Sequence, residues 1–159
     1  MGLTADICDE HKDKVVLADP IFQHYGQITT FSGPVHTVNV FEDNVLVKRA
    51  LETIPEGSVL VIEGGASQRY ALMGDNLAAI AQNRNLAGVI IHGSIRDAGE
   101  INEMPVGVYA LGTTPFPSIK KGEGEKDIPL RFANVAWEPG FWVYADEDGI
   151  LVSETELQL

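Results

Sequence analysis

The apolar positions of residues 58–97 form two short runs separated by a segment with helical spacing. Residues Val59–Ile62 are apolar and mostly β-branched, and this run ends before Gly64. A second run of the same character, Ala87–Ile91, ends before Gly93. Uninterrupted apolar runs of this length predict strands buried on both faces, because a half-exposed strand would alternate with polar residues.

The segment between the two runs predicts an amphipathic helix of about three turns. Leu77, Ile80 and Ala81 recur at helical spacing, and Asp75 or Asn76 supplies the side-chain oxygen preferred at a helix N-cap. Strand, helix and strand then form one βαβ unit. We expect this unit to be right-handed and its strands to be parallel.

The other elements are predicted to be short and to be separated by Gly, Pro and acidic residues. The expected helices cover 4–11, capped by Thr4 or Asp6 with Ile7 and Cys8 facing inward, and Asp43 to about Thr53. The expected strands cover 35–40 after a turn at 32–34, 105–111, 130–135 and 141–152, the last two as antiparallel β-structure. Residues 112–129 form too long a connection for an ordinary loop, so we expect a mobile flap or a subunit contact there.

These elements place the chain in the α/β class, as one compact domain over residues 1–159. We expect a β/β/α layered architecture: a central mixed sheet containing the parallel βαβ unit, helices on one side and a second β layer on the other. With 159 residues, such a domain buries roughly two thirds of its unfolded surface.

Composition agrees with an ordinary globular protein, since 45% of residues are hydrophobic and 21% are charged. No run approaches 18 consecutive apolar residues, and the N-terminus lacks a signal-peptide pattern, so we expect a cytoplasmic protein without membrane contact. The lone cysteine, Cys8, cannot form an internal disulfide, which agrees with a reducing compartment.

The net charge of the chain indicates which classes of macromolecule its surface would bind. The formal charge is −12, and such a surface repels phosphate backbones, so we expect no direct nucleic-acid binding. It would instead attract basic segments of other proteins. The alternative interpretation is that the acidic surface serves solubility alone.

Candidate chemistry lies at one edge of the predicted sheet. Ligands of open parallel sheets bind beyond the carboxyl ends of the strands, where helix N-termini present free amides. Residues Gly74–Leu77 open the predicted helix at that edge, and Arg96 and Asp97 follow the second strand there. Together they would hold an organic acid beside a metal ion. The structural alternative makes Asp75 an N-cap and Arg96–Asp97 a surface ion pair, and we interpret His92 as a packed strand-end residue.

Four motifs carry a resemblance to a known family. Asp75 is followed after twenty residues by Arg96-Asp97, and FEDN at 41–44, GGAS at 64–67 and YADEDGILVSE at 144–154 accompany this pair. Over nearly its whole length the chain resembles the metal-dependent pyruvate aldolases that cleave 4-hydroxy-4-methyl-2-oxoglutarate. These aldolases share a superfamily with the bacterial regulator of ribonuclease activity A, or RraA. Members of that superfamily were once misassigned as menaquinone methyltransferases.

The resemblance implies a role for each residue at this edge. Asp97 would be the protein ligand of a divalent cation, Mg²⁺ or Mn²⁺, and Arg96 would bind the keto oxygen and stabilise a pyruvate enolate. Asp75 would orient metal-bound water or Arg96. The substrate carboxylate would be held by the amides of Gly74, Asp75, Asn76 and Leu77. A Schiff-base lysine is the competing chemistry, but residues 50–118 contain no lysine, which leaves none on the core strands of the site.

Two functions follow from the resemblance, and they are not exclusive. The first is an aldolase acting on a small 2-oxo acid, with oxaloacetate decarboxylase activity; the intact pair of Arg96 and Asp97 favours it. The second is a regulator that binds a degradosome endoribonuclease through its acidic surface; FEDN and the 144–154 block favour it. The family implies homotrimers with sites near subunit contacts, and Glu154 and Glu156 are the late acidic residues that a neighbouring subunit could contribute.

Overall fold

The computed structural model describes residues 2–159 as a mixed α/β fold, which confirms the predicted class. Its helices are α1 Leu3–His11, α2 Val45–Thr53, α3 Asp75–Asn83 and α4 Ala98–Asn102. Its strands are β1 Val15–Leu17, β2 Gln23–Tyr25, β3 Phe31–Asn39, β4 Val59–Glu63, β5 Ala71–Met73, β6 Gly88–Ile95, β7 Val108–Thr113, β8 Glu125–Lys126, β9 Leu130–Phe132, β10 Val135–Trp137, β11 Trp142–Asp146 and β12 Gly149–Ser153.

Ten of these strands form one mixed sheet. Its main order is β1-β12-β11-β3-β4-β6-β7-β2, while β5 pairs with β6 and β8 pairs with β3. The four central strands β3, β4, β6 and β7 are parallel, and the outer pairings are antiparallel. The predicted βαβ unit is therefore confirmed as β4-α3-β6. A second unit of the same kind, β3-α2-β4, lies beside it.

Strand β4 is apolar from Val59 to Ile62 because both faces of the sheet are covered there. In β4, Leu60 and Ile62 pack on the helix side with Leu51 of α2, whereas Val59 and Val61 pack on the opposite side. All five side chains are fully buried. Each contributes roughly 1.5–3 kcal/mol by leaving water, so an uninterrupted apolar run is what this position in the sheet requires.

The second β layer is the far part of the same sheet together with the small β9–β10 sheet. Phe132 and Trp137 from that small sheet share one core cluster with Val143 of β11, Ile150 of β12 and Val61 of β4. Because β11 and β12 also belong to the ten-stranded sheet, the sheet curls to cover its own face. The expected β/β/α layering is thus confirmed.

The N-terminal helix differs from the prediction in two details. Helix α1 follows Gly2 without a side-chain cap, and Thr4 is buried, donating its hydroxyl to the Asp146 carboxylate at 2.6 Å. Ile7 faces the core as predicted, but Cys8 is exposed. Adjacent helical residues point in different directions, so a narrow contact face takes only one of the two.

Residues Ser32–Pro34 lie inside β3 and not in the predicted turn. Residue 33 is a glycine because the main chain of Gly57 packs directly against it. A Cβ at Gly33 would lie 2.2 Å from the carbonyl oxygen of Gly57. Pro34 is the last residue of β3 paired with β11 before the strand continues beside β4. A change of strand partner tolerates Gly and Pro as a turn does, and the local sequence pattern does not distinguish the two.

The long segment 112–129 is bound to the body of the domain, which corrects the prediction of a mobile flap. Its strand β8 pairs with β3. The carbonyl of Phe116 accepts the amide of Ala71 at 2.8 Å, and the amide of Ile119 donates to the carbonyl of Glu42 at 2.8 Å. The short strands β1, β2, β5 and β8 were not predicted. Within residues 2–159, no helix has the length and apolar character needed to cross a membrane.

Candidate active site

A cleft of about 520 Å³ opens at the carboxyl edge of the parallel strands. Three parts of the chain form it: the first two turns of α2, the start of α3 with the loop between β6 and α4, and residues 117–120 of the long segment. All six residues singled out from the sequence line this one cleft, namely Gly74, Asp75, Asn76, Leu77, Arg96 and Asp97. The sheet-edge argument therefore located the cleft.

The contact that organises this cleft joins two of those residues. The amide of Asp75 donates to Oδ2 of Asp97 at 3.0 Å, so the end of β6 is tied to the start of α3. The amide of Arg96 donates to the carbonyl of Met73 at 2.9 Å, one residue before Gly74. These two bonds hold the Arg96-Asp97 pair against the helix N-terminus.

Asp97 has an unusual backbone conformation that serves the same arrangement. Its φ of 57° and ψ of 38° are left-handed, which few residues other than glycine adopt. The turn lets the main-chain carbonyl of Asp97 accept the amide of Ile101 at 2.9 Å, so that α4 begins at once. Strained backbone of this kind concentrates at functional sites, where the surrounding structure holds it.

Gly74 leaves the space that the Asp97 carboxylate occupies. A Cβ at position 74 would lie 2.6 Å from Oδ2 of Asp97 and 3.3 Å from Cγ of Arg96. Gly74 is also the N-cap of α3, and it offers no side-chain cap. The predicted cap at Asp75 or Asn76 is thus wrong, because both residues are already inside the helix. With the Asp75 amide taken by Asp97, the amides of Asn76 and Leu77 remain without an intrahelical partner.

The cleft carries more positive than negative charge. Four cationic side chains line it, Lys48, Arg49, Arg96 and Lys120, beside three carboxylates, Glu52, Asp75 and Asp97. Within residues 2–159, the ion pairs closer than 4 Å lie elsewhere and use none of these four cations. In a chain of charge −12, this local excess favours an anionic ligand.

Several of the lining residues were missed from the sequence. Asn44 is the residue before α2, and Val45, Lys48 and Arg49 belong to this helix, whose start lies at the carboxyl edge because β3-α2-β4 is itself a βαβ unit. Applying the sheet-edge rule to that second unit would have found them. Lys120 comes from the segment 112–129, and no local signal places it there. Lysines therefore do reach the cleft, although none stands on its core strands.

Two buried carboxylates, Glu42 and Asp43, precede α2. Burial alone would raise the pKa of Asp43, but hydrogen bonds from the amides of Val45, Glu123, Lys121 and Gly122 outweigh burial and lower it. The pKa of Glu42 is also lowered, first by the Ser67 hydroxyl, which donates at 2.6 Å, and then by Arg69. Both carboxylates are therefore ionised at neutral pH and bind protein groups.

The donor set decides which metal the cleft could hold. No group of three or more His, Cys, Asp and Glu side chains in residues 2–159 is arranged as metal ligands. Half-buried Asp97 uses Oδ2 for the Asp75 amide, which leaves Oδ1 for a cation. One carboxylate with water suits Mg²⁺ or Mn²⁺, which keep much of their hydration, but it does not suit a zinc centre built from several protein ligands.

His92 lies outside this cleft, which confirms its interpretation as a packed residue. Its Nδ1 lies 2.7 Å from Oε1 of Glu63, and its ring stacks on Phe132 with 4.8 Å between centroids. The same Glu63 oxygen accepts the amide of Gly65 at 2.6 Å. The pair therefore fixes the GGAS loop and takes no part in lining the cleft.

Comparison with known proteins agrees with the fold. The profile of the RraA-like family, described as Aldolase/RraA, matches residues 4–152. This chain belongs to the RraA-like family. A Bacillus cereus member provisionally named as a 4-hydroxy-4-methyl-2-oxoglutarate aldolase is 48% identical over 157 residues, covering 99% of each chain. An Arabidopsis thaliana member with the same provisional name is 50% identical over 161 residues, covering 98% of this chain and 97% of its own.

Solved structures of the RraA-like family confirm the architecture. A Thermus thermophilis protein described as the RNA-processing inhibitor RraA superimposes with a TM-score of 0.94 at 40% identity, covering 99% of this chain and 96% of its own. A Geobacillus kaustophilus protein described as an S-adenosylmethionine:2-dimethylmenaquinone methyltransferase superimposes with a TM-score of 0.96 at 55% identity. The match covers 98% of this chain and 97% of the Geobacillus chain. One fold in this family therefore carries three different descriptions.

Replacing Gly74 by alanine tests the contact between Asp97 and Asp75. The φ of Gly74 is −119°, so alanine adopts this backbone without strain, but its Cβ would crowd Oδ2 of Asp97 at 2.6 Å. We expect the carboxylate to move away and the Asp75 amide to exchange with solvent about five- to tenfold faster, as for the loss of one hydrogen bond. Amide exchange followed by NMR measures this. Gly99→Ala is the matched control, because nothing lies within 4 Å of a Cβ there; equal exchange in both variants would contradict the packing argument.

Proposed function

We propose that this RraA-like protein is a divalent-metal-dependent pyruvate aldolase. Its substrates would be 4-hydroxy-4-methyl-2-oxoglutarate or related 4-hydroxy-2-oxo acids, and it would also decarboxylate oxaloacetate. The observation that carries the proposal is the convergence of Arg96, Asp97 and the N-terminus of α3 on one cationic cleft. Relatives with provisional aldolase names, up to 50% identical, support the same reaction class.

Both reactions need negative charge stabilised at the same place. Retro-aldol cleavage breaks the C3–C4 bond, and oxaloacetate decarboxylation breaks the bond to the departing carboxyl group. In the first reaction the C4 hydroxyl loses its proton and becomes the carbonyl of the second product, and in the second reaction the carboxyl group leaves as CO2. In each case the bonding electron pair forms the enolate of pyruvate, whose methylene carbon then takes up a proton. A hydrogen-bond donor or cation preorganised at the enolate oxygen lowers the activation free energy of both reactions by several kcal/mol.

Each cleft residue has a chemical task in this proposal. Arg96 donates to the keto oxygen, where charge develops, with a guanidinium that stays ionised. The amides of Asn76 and Leu77 bind the adjacent carboxylate at the positive end of α3. A divalent cation held by Asp97 would act as a Lewis acid for the 2-oxo acid group. Asp75 orients Arg96 or water within the same cleft.

The methyltransferase description of the Geobacillus kaustophilus relative is not supported by this cleft. S-adenosylmethionine carries a positively charged sulfonium, whereas four cationic side chains line the cleft. The sequence also lacks a G-x-G loop after its first strand, and no acidic residue is placed to hold a ribose. An anionic 2-oxo acid matches the charge of the cleft better.

Pyruvate release tests the aldolase proposal. We expect 4-hydroxy-4-methyl-2-oxoglutarate and oxaloacetate to yield pyruvate with Mg²⁺ and not with chelator, after subtraction of decay caused by the metal alone. Asp97→Ala and Arg96→Ala should each lower kcat by about 10²–10³-fold, because each removes a group that acts where charge develops. Borohydride should trap no substrate on the protein, whereas a Schiff base on Lys48 or Lys120 would be trapped.

Matched controls separate a local effect from loss of fold. Asp148→Asn and Arg131→Ala remove comparable charges from exposed residues outside the cleft. Both variants should keep wild-type turnover. A folded wild-type protein that releases no pyruvate above the metal-only control would reject the aldolase proposal.

We also propose that the protein is a homotrimer whose subunits meet at a rim patch beside the cleft. This rim patch consists of Phe41, Tyr70, Phe116 and Ile119. Phe41 and Phe116 are large apolar side chains that are 61% and 64% exposed. The rings of Tyr70 and Phe116 are in edge-to-face contact, with 6.3 Å between their centroids. The amide of Ile119 donates to the carbonyl of Glu42, the residue after Phe41.

Substituting the rim patch tests the trimer. We expect Phe41→Ser combined with Phe116→Ser to shift the mass measured by light scattering from three chains to one, since burial of these rings would drive association. Leu159→Ser is the control, because Leu159 is 72% exposed and lies outside the patch. A wild-type protein that is monomeric at assay concentration would reject the proposal.

A second function is favoured by the charge of the surface and by the Thermus thermophilis relative described as an RNA-processing inhibitor. We propose that the acidic surface can bind the basic, disordered region of a degradosome endoribonuclease and inhibit it. The overall charge of −12 would attract such a segment, while the cationic cleft would take no part.

Salt dependence and one cleft variant separate this second function from the first. We expect binding of the basic segment to weaken by at least about tenfold between 50 and 200 mM salt, because exposed charges are screened. Arg96→Ala should leave the affinity unchanged while it lowers aldolase turnover. Titration with a fluorescent segment of the endoribonuclease measures both. Absence of binding at low salt would reject the regulator proposal.

A further inference from the structure

The buried side chain of Asp43 joins two walls of the cleft that are far apart in sequence. Its Oδ1 accepts the amide of Val45 at 3.1 Å, at the start of α2. Its Oδ2 accepts three successive amides, those of Lys121, Gly122 and Glu123, at 3.0, 2.9 and 3.1 Å. One carboxylate therefore serves four backbone donors.

Each wall contributes lining residues next to the attachment point. On the α2 side, Asn44 and Lys48 line the cleft immediately after Asp43. On the other side, Ser118 and Lys120 line it immediately before the three bound amides. A shift of the second wall would therefore change the position of Lys120 in the cleft.

The other attachments of this wall lie earlier in the segment. The Ser118 hydroxyl donates to the carbonyl of Ala71 at 2.6 Å, and the amide of Ile119 donates to the carbonyl of Glu42 at 2.8 Å. Beyond Lys120, the turn at Gly122 has a φ of 84°, and the chain reaches β8 only at Glu125. Asp43 thus supplies three main-chain hydrogen bonds to the chain between Ile119 and β8, where Lys120 Nζ also donates to the carbonyl of Ser118 at 3.4 Å.

We propose that Asp43 is a positioning residue for substrate binding. It holds residues 120–123 against the start of α2 and so fixes Lys120 where it contacts the anionic substrate. The inference rests on the proposed aldolase function, whose substrates carry a second carboxylate besides the one next to the keto group. Asp43 itself does not line the cleft, and it acts through the main chain of the segment.

The test compares Asp43→Asn with Glu123→Gln. Asparagine has nearly the same shape, but its amino group would face backbone N–H donors at one of the two attachment points. Glu123→Gln removes the same charge from an exposed side chain of the same segment and leaves the hydrogen bonds intact. We expect the amides of residues 121–123 to exchange about tenfold faster in Asp43→Asn only, as for the loss of a charge-assisted hydrogen bond.

Kinetics then test the positioning role. For 4-hydroxy-4-methyl-2-oxoglutarate, whose second carboxylate is unchanged by the reaction, we expect KM to rise about five- to tenfold in Asp43→Asn with kcat within about twofold of wild type, since binding common to ground and transition states is lost. Lys120→Met should raise KM similarly, and it should add little to Asp43→Asn in the double variant. Faster exchange with an unchanged KM would overturn the positioning role.

The variant Gly122→Ala and the measurement of amide exchange cover the cases in which Asp43→Asn does not fold or the wild type shows no aldolase activity. If Asp43→Asn does not fold, Gly122→Ala replaces it, because alanine strains the left-handed turn at φ 84° while its Cβ meets nothing closer than 3.8 Å. If the wild type releases no pyruvate, the aldolase proposal fails and amide exchange still tests the attachment. Unchanged exchange at residues 121–123 in folded Asp43→Asn or Gly122→Ala would overturn the inference.

Discussion

The hydrogen bond from the Asp75 amide to the Asp97 carboxylate is the contact on which the cleft depends. It closes the βαβ unit at its functional edge, because it ties the end of β6 to the first residue of α3. It is possible only because residue 74 has no side chain, since a Cβ there would lie 2.6 Å from the same oxygen. The position of Arg96 follows from it, as does the left-handed backbone of Asp97 from which α4 begins.

The acidic residues of this chain have two separate structural uses. Most are exposed and set the charge of −12, but a few buried carboxylates organise backbone amides. Asp43 binds the amides of α2 and of the segment 121–123, and Asp146 binds Thr4 and Asp148. Burial opposes ionisation of both, yet these hydrogen bonds prevail and lower both pKa values. A lowered folded pKa stabilises the fold above the unfolded pKa, and that contribution is lost only as the pH falls through the folded value.

Features encoded by neighbouring residues could be predicted from the sequence, whereas features that depend on contacts between distant residues could not. The β4-α3-β6 unit and its six edge residues follow from patterns within 40 residues, and the structure brings all six to one cleft. Asn44 and Lys48 needed the pairing of β3 with β4, which joins strands separated by a helix. Lys120 lies between the bonds of Ser118 and Ile119 and those of residues 121–123 to Asp43, 77 positions earlier than Lys120, and hydrophobic periodicity carries no such information. The same limit explains why Ser32–Pro34 resembled a turn.

Positive charge is concentrated in the cleft and negative charge on the rest of the surface, so the two proposed functions could share one fold. The cleft gathers four cations behind the rim patch, whereas the surface as a whole is acidic. A small anion and a basic protein segment would therefore be drawn to different places on the molecule, and neither would compete for the other's groups. Binding of a ribonuclease segment then puts no constraint on Arg96 or Asp97. The arrangement of these two residues, with a glycine at position 74 to accommodate them, accordingly supports the proposed chemistry in the cleft and not recognition at the surface.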